Sequence, residues 1–350
     1  MAAPILTPSL LAQPARTTAR LMARAYLQRV LEEAARVEVR VEEITEPAAS
    51  RGAEWQSEAV HDLHVALRRL RSWLRAWRPF LRDTLRKSSE RRLQRLSRLA
   101  GRARDLEVQR AWLTTQSVQR SRLAGESARL VVVRIETEYA HVLQALAIRL
   151  LKRLGRAAVR LDAELEDQDA GDVQKTTDPT TDPTTASVMA HLIGEHAEGL
   201  PQVLRRVRRP GQVDEAHAAR IAIRRFRYLL DTLGRLSPDV RLVTGYLTSL
   251  QDRLGRLHDA QVLAARLTAM SEEATESRRW RARENVLPRG ALSALRALVR
   301  RRIAREFLLV HRTIGGREPT RAMAATERVI TRLNRFDKVA SAPPRHGSPR

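Results

Sequence analysis

The chain has 350 residues, 43% of them hydrophobic, and a formal net charge of +24 that comes from 64 basic against 40 acidic residues. It contains no cysteine, which excludes disulfides, thiolate metal sites and cysteine nucleophiles. So large a positive excess repels itself in a compact state unless a polyanion screens it, and we therefore expect a nucleic acid, another polyphosphate or an anionic membrane surface as the partner.

Apolar residues recur at helical spacing along nearly the whole chain, with no alternating run of strand length, which predicts an all-α protein. No apolar run approaches the roughly 18 residues of a membrane span. Flexible tails are expected at residues 1–19 and 339–350, and the polar segment 166–187, which repeats TTDP, is expected to be a linker. Helices are predicted at residues 16–45, 55–78, 80–101, 105–116, 121–165, 187–207, 213–235, 239–256, 259–270, 276–286, 289–313 and 317–335.

Two segments of the chain resemble each other on either side of this linker. Aligned at an offset of 156, residues 61–75 and 217–231 are identical at His61/His217, Ala66/Ala222, Arg68/Arg224, Arg69/Arg225, Arg71/Arg227 and Leu74/Leu230. A second block aligns at an offset of 154 and matches Gly101/Gly255, Arg102/Arg256, Asp105/Asp259 and Val108/Val262. Two blocks in the same order predict an internal duplication, with two four-helix-bundle-like halves at residues 20–165 and 188–338.

Successive helical residues lie 100° apart, so the repeated segment separates into an apolar face and a basic stripe. The stripe contains His61, His64, Arg68, Arg71 and Arg75 in the first copy, and His217, Arg220, Arg224 and Arg227 in the second. Asp231 stands in the second copy where the first has Arg75. Like charges three and four residues apart repel one another. An extended anion bound along the stripe relieves that repulsion, whereas the alternative is an ordinary solvated face.

The second block adds further basic residues: Arg102, Arg104, Arg256 and His258. A short turn near the shared glycine is expected either to direct them into the same cavity or to let the arginines pair with Asp105 or Asp259. We expect those two aspartates to cap helices or orient arginines. The basic stretch that contains Arg296, Arg300, Arg301, Arg302 and Arg305 faces either the cavity or solvent.

The motif H-x-x-H/R-V/I-A-x-R-R-x-R, followed some thirty residues later by G-R-x-x-D-x-x-V, occurs twice and resembles the CHAD family. The resemblance spans about residues 20–335. It implies two four-helix bundles that face each other across a central basic cavity, with inorganic polyphosphate as the ligand. The family's histidine falls on His61 and His217, and its arginines fall on Arg68, Arg69, Arg71, Arg220, Arg224, Arg225 and Arg227.

His64 departs from the family pattern, because arginine usually stands at its position. A histidine there is expected to gain a positive charge below about pH 6.5. We therefore expect the first half of the protein to bind polyphosphate more weakly at neutral pH and more tightly in acid.

Catalysis is the first alternative function. The His61-Asp62 and His258-Asp259 dipeptides resemble those of metal phosphohydrolases, but adjacent helical residues point about 100° apart, and surrounding arginines repel a divalent cation. The chain has no glycine-rich phosphate loop, HExxH or G-x-S-x-G motif. We therefore predict no catalytic residues, no metal site and no cofactor.

Nucleic-acid binding is the second alternative, since neutralising a phosphate backbone requires only basic side chains. Thirteen aromatic residues in 350 leave few platforms on which bases can stack. We therefore predict polyphosphate as the main partner and weak nucleic-acid binding at most, with a location in the cytoplasm or on polyphosphate granules. The sequence predicts neither the oligomeric state nor a preferred chain length.

Overall fold

A computed structural model describes residues 4–45, 57–81, 85–150, 154–166, 182–234, 236–280 and 289–340. Helices account for almost all of these residues and strands for none, which confirms the all-α prediction. The described helices are α1 (Pro8–Ala12), α2 (Ala15–Thr45), α3 (Ser57–Ala76), α4 (Arg78–Leu81), α5 (Lys87–Leu113), α6 (Gln116–Gln119), α7 (Arg122–Arg149), α8 (Gly155–Glu166), α9 (Thr185–Leu204), α10 (Val213–Thr232), α11 (Pro238–Trp280), α12 (Arg289–Ile314) and α13 (Glu318–Ala340).

The helices pack in the same order before and after the predicted linker. In the first part α2 packs on α3, α3 on α5, α5 on α7, and α8 on α2 and α5. In the second part α9 packs on α10, α10 on α11, α11 on α12, and α13 on α9 and α11. This parallel order supports the predicted duplication, which stays a prediction. The linker itself lies mostly in residues 167–181, outside the described residues.

Three matching helix pairs join the two parts: α3 with α10, α5 with α11, and α7 with α12. The apolar faces of α3 and α10 turn into the core as the periodicity predicts, because burying large side chains drives helix packing. Leu70 and Phe226 are 0% and 2% exposed. Trp73 stacks on Trp77 at 4.7 Å between ring centroids, and its indole N–H donates to the Ala19 carbonyl at 2.9 Å.

The N-terminal segment is folded from residue 4 onward, so the prediction of a flexible tail over residues 1–19 is wrong for the described part. Leu6 and Leu11 are buried in the core. The Leu6 N–H donates to the Thr232 carbonyl at 2.7 Å, and the Ala15 N–H donates to the Pro183 carbonyl at 2.9 Å. Short apolar patches between prolines thus bury enough surface to hold this segment against the second part of the chain.

Helices α5 and α11 run without a break through Gly101 and Gly255, so the predicted breaks near residues 102–104 and 257–258 are wrong. A single helical glycine costs only about 1 kcal/mol relative to alanine, which packing on both sides of the helix offsets. Asp105 and Asp259 consequently lie inside helices and cap neither of them, contrary to one of the roles expected for them.

No described helix is long and apolar enough to cross a membrane.

Candidate anion-binding site

The contact between α3 and α10 brings arginines from both halves of the chain together. Burial, and then the positive charge of Arg68, lowers the pKa of Arg224 to about 10. Burial also lowers the pKa of Arg68, and the charges of Arg220 and Arg227 act in the same direction. The Arg68 Nε is buried without a hydrogen-bond partner among the described residues. These like charges lie near one another and are partly shielded from water.

Histidines surround the arginines. Burial lowers the pKa of His61, with the charge of Arg104 adding to the effect. Burial lowers the pKa of His258 to about 4, and Arg220 contributes to that shift. The rings of His217 and His258 lie 5.3 Å apart between centroids. The central basic cluster is defined as Arg68, Arg220, Arg224, His61, His64, His217 and His258.

His64 has the most strongly lowered pKa among the histidines of this cluster. Burial, followed by the charges of Arg68 and Arg224, lowers its pKa to about 2. The free protein therefore favours neutral His64, which opposes the expectation that this residue gains charge near pH 6.5. The cause is tertiary: the imidazole lies against Gly101 of α5, within a close helix–helix contact.

Neutral histidines still offer hydrogen bonds. The Nδ1 atoms of His61, His64 and His258 are buried without a hydrogen-bond partner among the described residues. A buried polar atom left without a partner costs free energy. Each ring can satisfy that atom, in one tautomer, by donating to an anionic oxygen.

Two carboxyl groups border the cluster. Burial raises the pKa of Asp105 to about 6, and the nearby charge of Asp259 acts in the same direction while Arg220 opposes it. Burial also raises the pKa of Asp259, again against the charge of Arg220. The two aspartates, which come from α5 and α11, are thus the internal counter-charges of Arg220. Both were expected from the sequence to cap helices or orient arginines, and neither was among the predicted site residues.

The arginines of the second block form ion pairs with glutamates rather than with Asp105 or Asp259. The pairs are Arg102–Glu138 at 2.8 Å, Arg104–Glu107 at 3.0 Å and Arg256–Glu306 at 3.1 Å. Arg102 is 62% exposed and lies at the edge of the site, whereas Arg104 remains close enough to lower the pKa of His61. The expected pairing partners were wrong: Arg104 pairs with Glu107 one turn further along α5, whereas Glu138 and Glu306 come from other helices.

The remaining stripe arginines diverge from the cluster. Arg71 donates to the Ser97 hydroxyl at 3.1 Å, and its counterpart Arg227 donates to the Gln251 side-chain oxygen at 3.1 Å. Asp231 accepts from Arg69 at 3.5 Å and from Arg227 at 3.3 Å. Arg75 and Arg225 instead line a cavity beside the C-terminal half of α3.

The basic stretch on α12 contributes Arg302. Its guanidinium lies 4.9 Å from the centroid of the Trp112 ring, and its charge opposes the raised pKa of Asp259. Arg300 and Arg301 are exposed, and Arg305 pairs with Glu306 at 3.0 Å. Nothing in the sequence distinguishes Arg302 from its neighbours, because only the packing of α12 selects it.

The described residues contain no cluster of three or more histidine or acidic side chains that could hold a metal ion.

Comparison with known proteins identifies the family. The family model of the CHAD domain matches residues 35–268, about two thirds of the chain. Among solved structures, the CHAD domain from the plant Ricinus communis is similar with a TM-score of 0.64 and 21% sequence identity, over 90% of this chain and 96% of that chain. A comparison with curated proteins finds no match. The chain therefore belongs to the CHAD domain family.

Proposed function

We propose that this protein binds inorganic polyphosphate, without catalysis, at the central basic cluster between α3 and α10. One observation carries the proposal: Arg68 and Arg224, contributed by opposite halves of the chain, lie half-buried near each other, and the charge of Arg68 lowers the pKa of Arg224. Like charges in a desolvated place are unfavourable on their own. A bound polyanion turns that repulsion into attraction.

The neighbouring groups fit a phosphate chain. Asp105 and Asp259 oppose the positive charge only in part, because burial favours their protonated forms. Arginine forks donate two parallel hydrogen bonds to phosphate oxygens. The unpartnered histidine nitrogens supply further donors to the same oxygens.

Several features favour polyphosphate over nucleic acid. The CHAD domain is linked in general to polyphosphate binding, and the family model covers α3, α10 and most of α11. The cluster lies between packed helices, where a thin, flexible chain fits better than a duplex. Tyr228, the nearest aromatic side chain on α10, is buried and offers no exposed surface for a base to stack on.

The test is a titration with polyphosphates of defined length beside RNA at matched salt. Arg68→Ala and Arg224→Ala are each expected to weaken polyphosphate binding by about 10- to 150-fold, the equivalent of roughly 1.5–3 kcal/mol for a charge-assisted contact. Arg122→Ala is the matched control, because it removes the same charge from a side chain that is 92% exposed. Equal losses in all three variants, or RNA that displaces polyphosphate at equal concentration, contradict the proposal.

Phosphate release is followed in the same samples, with and without Mg²⁺ or Mn²⁺. We expect release at the background rate. Turnover that disappears in His61→Ala or His258→Ala overturns the non-catalytic part of the proposal.

The proposed binding also implies recruitment to polyphosphate granules in the cytoplasm. A fluorescent fusion is expected to gather on such granules, and the Arg68→Ala, Arg224→Ala double variant is expected to stay dispersed. Equal granule association of both proteins contradicts this recruitment.

A further inference from the structure

The contact between α3 and α10 has two edges, one on each side. The residues at the two edges occupy positions that align in the two halves of the chain, but they carry different charges. On one edge Arg69 pairs with Asp231 at 3.5 Å, and Arg227 shares the same carboxylate. The residues aligned with Arg69 and Asp231 are Arg225 and Arg75. At the second edge, therefore, Arg75 lies beside Arg225 and no carboxylate takes the place of Asp231. Burial lowers the pKa of Arg225, and the charge of Arg75 lowers it further.

The two edges also differ in volume. The edge with Asp231 is filled by Tyr228 and Tyr26, which leave a gap of only about 10 Å³. The residue aligned with Tyr228 is Ser72, whose small side chain lines a cavity of about 620 Å³ at the other edge. This second space, bordered by α3, α9 and α10, is called the side cavity. Ser72 also borders the narrow gap, so its small side chain lies between the closed edge with Tyr228 and the open side cavity.

The charge in the side cavity is not balanced from within. Neither Arg75 nor Arg225 forms an ion pair or hydrogen bond with a described residue. The acidic residue that lines the cavity, Glu195, lies 3.5 Å from the ring of His191. The first turn of α9 contributes Ser187, whose N–H donates to the Thr184 hydroxyl at 3.1 Å, so only the weak dipole of that helix N-terminus adds to the arginines.

The rest of the wall is apolar. Apolar side chains line the side cavity opposite or beside its charged groups; they are Phe80, Val188, Leu192 and Leu229. Its volume falls within the roughly 300–1,000 Å³ that is typical of small-molecule sites, which combine apolar walls with a few polar groups. A bare inorganic phosphate leaves most of this wall uncovered.

We propose that the side cavity binds an organic phosphate, with the phosphate groups at Arg75 and Arg225 and the organic body against Phe80, Val188 and Leu192. The site does not depend on polyphosphate binding at the central basic cluster, since Arg68 and Arg224 do not line it. The other edge of the α3–α10 contact does not offer the same site. There Tyr228 fills the corresponding space, and Asp231 neutralises the arginines.

The test uses ADP and inorganic pyrophosphate as probes in calorimetric titrations of the full chain. Both probes carry a diphosphate, and only ADP carries an organic body. We expect saturable binding of both, with ADP at least tenfold tighter. Arg75→Asp, which places a carboxylate beside Arg225 as Asp231 lies beside Arg69, is expected to weaken ADP binding more than tenfold.

Two further variants separate this site from the central basic cluster. Ser72→Tyr fills the side cavity and is expected to weaken ADP binding more than tenfold while polyphosphate binding stays unchanged. Arg68→Ala is expected to weaken polyphosphate binding and to change ADP binding less than twofold. Circular dichroism melts check that each variant is folded. If Ser72→Tyr does not fold, Arg75→Asp alone tests the side cavity.

Each other outcome overturns the proposal. Absence of saturable ADP binding, or equal loss of ADP binding in Arg68→Ala and Arg75→Asp, removes the side cavity as a site. Equal affinities for ADP and pyrophosphate overturn the role of the apolar wall. A wild-type protein that binds ADP at the side cavity but does not bind polyphosphate contradicts only the proposed function, so the two failures are distinguishable.

Discussion

Gly101 of α5 lies against the imidazole of His64 on α3, so closely that a Cβ added to the glycine comes 3.0 Å from Cε1 of the ring. The aligned glycine of α11, Gly255, has no atom within 4 Å of such a Cβ. The same sequence motif thus makes a close approach in one half of the chain and leaves open space in the other.

This difference predicts opposite outcomes for two matched substitutions. Gly255→Ala is expected to raise the free energy of unfolding by about 0.5–1 kcal/mol, because alanine favours the helix. Gly101→Ala is expected to lose that gain, since the new methyl group must push His64 aside, and also to weaken polyphosphate binding. Urea unfolding and a polyphosphate titration measure both effects. Equal stabilisation by the two substitutions contradicts the contact.

Affinity for polyphosphate is expected to rise as the pH falls from 8 to 5. Burial lowers the pKa values of His61 and His217 in the free protein, so both are largely neutral at pH 7. A bound polyanion favours their protonated forms and raises those pKa values, so binding takes up protons. Titrations across this range at constant ionic strength measure the slope. An affinity that is independent of pH contradicts the placement of these histidines at the ligand.

Asp105 is expected to oppose binding at high pH. Burial raises its pKa to about 6, so the carboxyl loses its proton as the pH rises through 6 and adds a negative charge beside the ligand. Asp105→Asn keeps the shape and removes that charge. The variant is expected to bind polyphosphate several-fold more tightly at pH 8 and about as well as the wild type at pH 5. Weaker binding at pH 8 instead identifies Asp105 as a residue that positions Arg220.

Substitutions in the basic stripe are expected to weaken binding without lowering stability, and substitutions in the core are expected to do the reverse. Arg68→Ala and Arg224→Ala remove mutually repelling charges, so the melting temperature without ligand is expected to stay the same or rise slightly. Leu70→Ala and Phe226→Ala leave cavities in the core and are expected to cost roughly 2–5 kcal/mol of unfolding free energy, with near-normal binding by the folded fraction. Arginine variants that unfold without a binding defect identify those arginines as structural.

Salt is expected to weaken polyphosphate binding steeply, since several phosphates are neutralised together and release their counterions. A plot of log affinity against log salt is expected to be linear, and Arg224→Ala is expected to reduce its slope by about 1. The same slope in the variant and the wild type indicates that Arg224 does not contact a phosphate.

Local patterns were enough to predict the all-α class and the two faces of the repeated segment, although not the unbroken course of α5 and α11. Helical periodicity depends on residues only three and four positions apart in the chain. The apolar face that contains Leu70 and Phe226 is buried as expected. Two motifs, which begin at His61 and Gly101 and recur in the same order in the second half, were enough to suggest the family, which the match over residues 35–268 shows.

Features that depend on distant packing were not predictable in this way. Glu138 and Glu306 lie 36 and 50 residues from the arginines they bind, and no local pattern links them. The depressed pKa of His64 depends on burial that only the assembled helices produce. The difference in size between Ser72 and Tyr228 was visible in the alignment, but its consequence needed the position of α9.

The attachment of the N-terminus has a consequence for the order of folding. Residues 6–15 are synthesised before their backbone partners Thr232 and Pro183, which lie some 170 to 230 positions later in the chain. Contacts so far apart in sequence form slowly, and domains generally fold during synthesis from the N-terminal end. The leading segment, with Leu6 and Leu11 still uncovered, must therefore wait until α9 and α10 have emerged, which makes the nascent chain dependent on protection from aggregation over that interval.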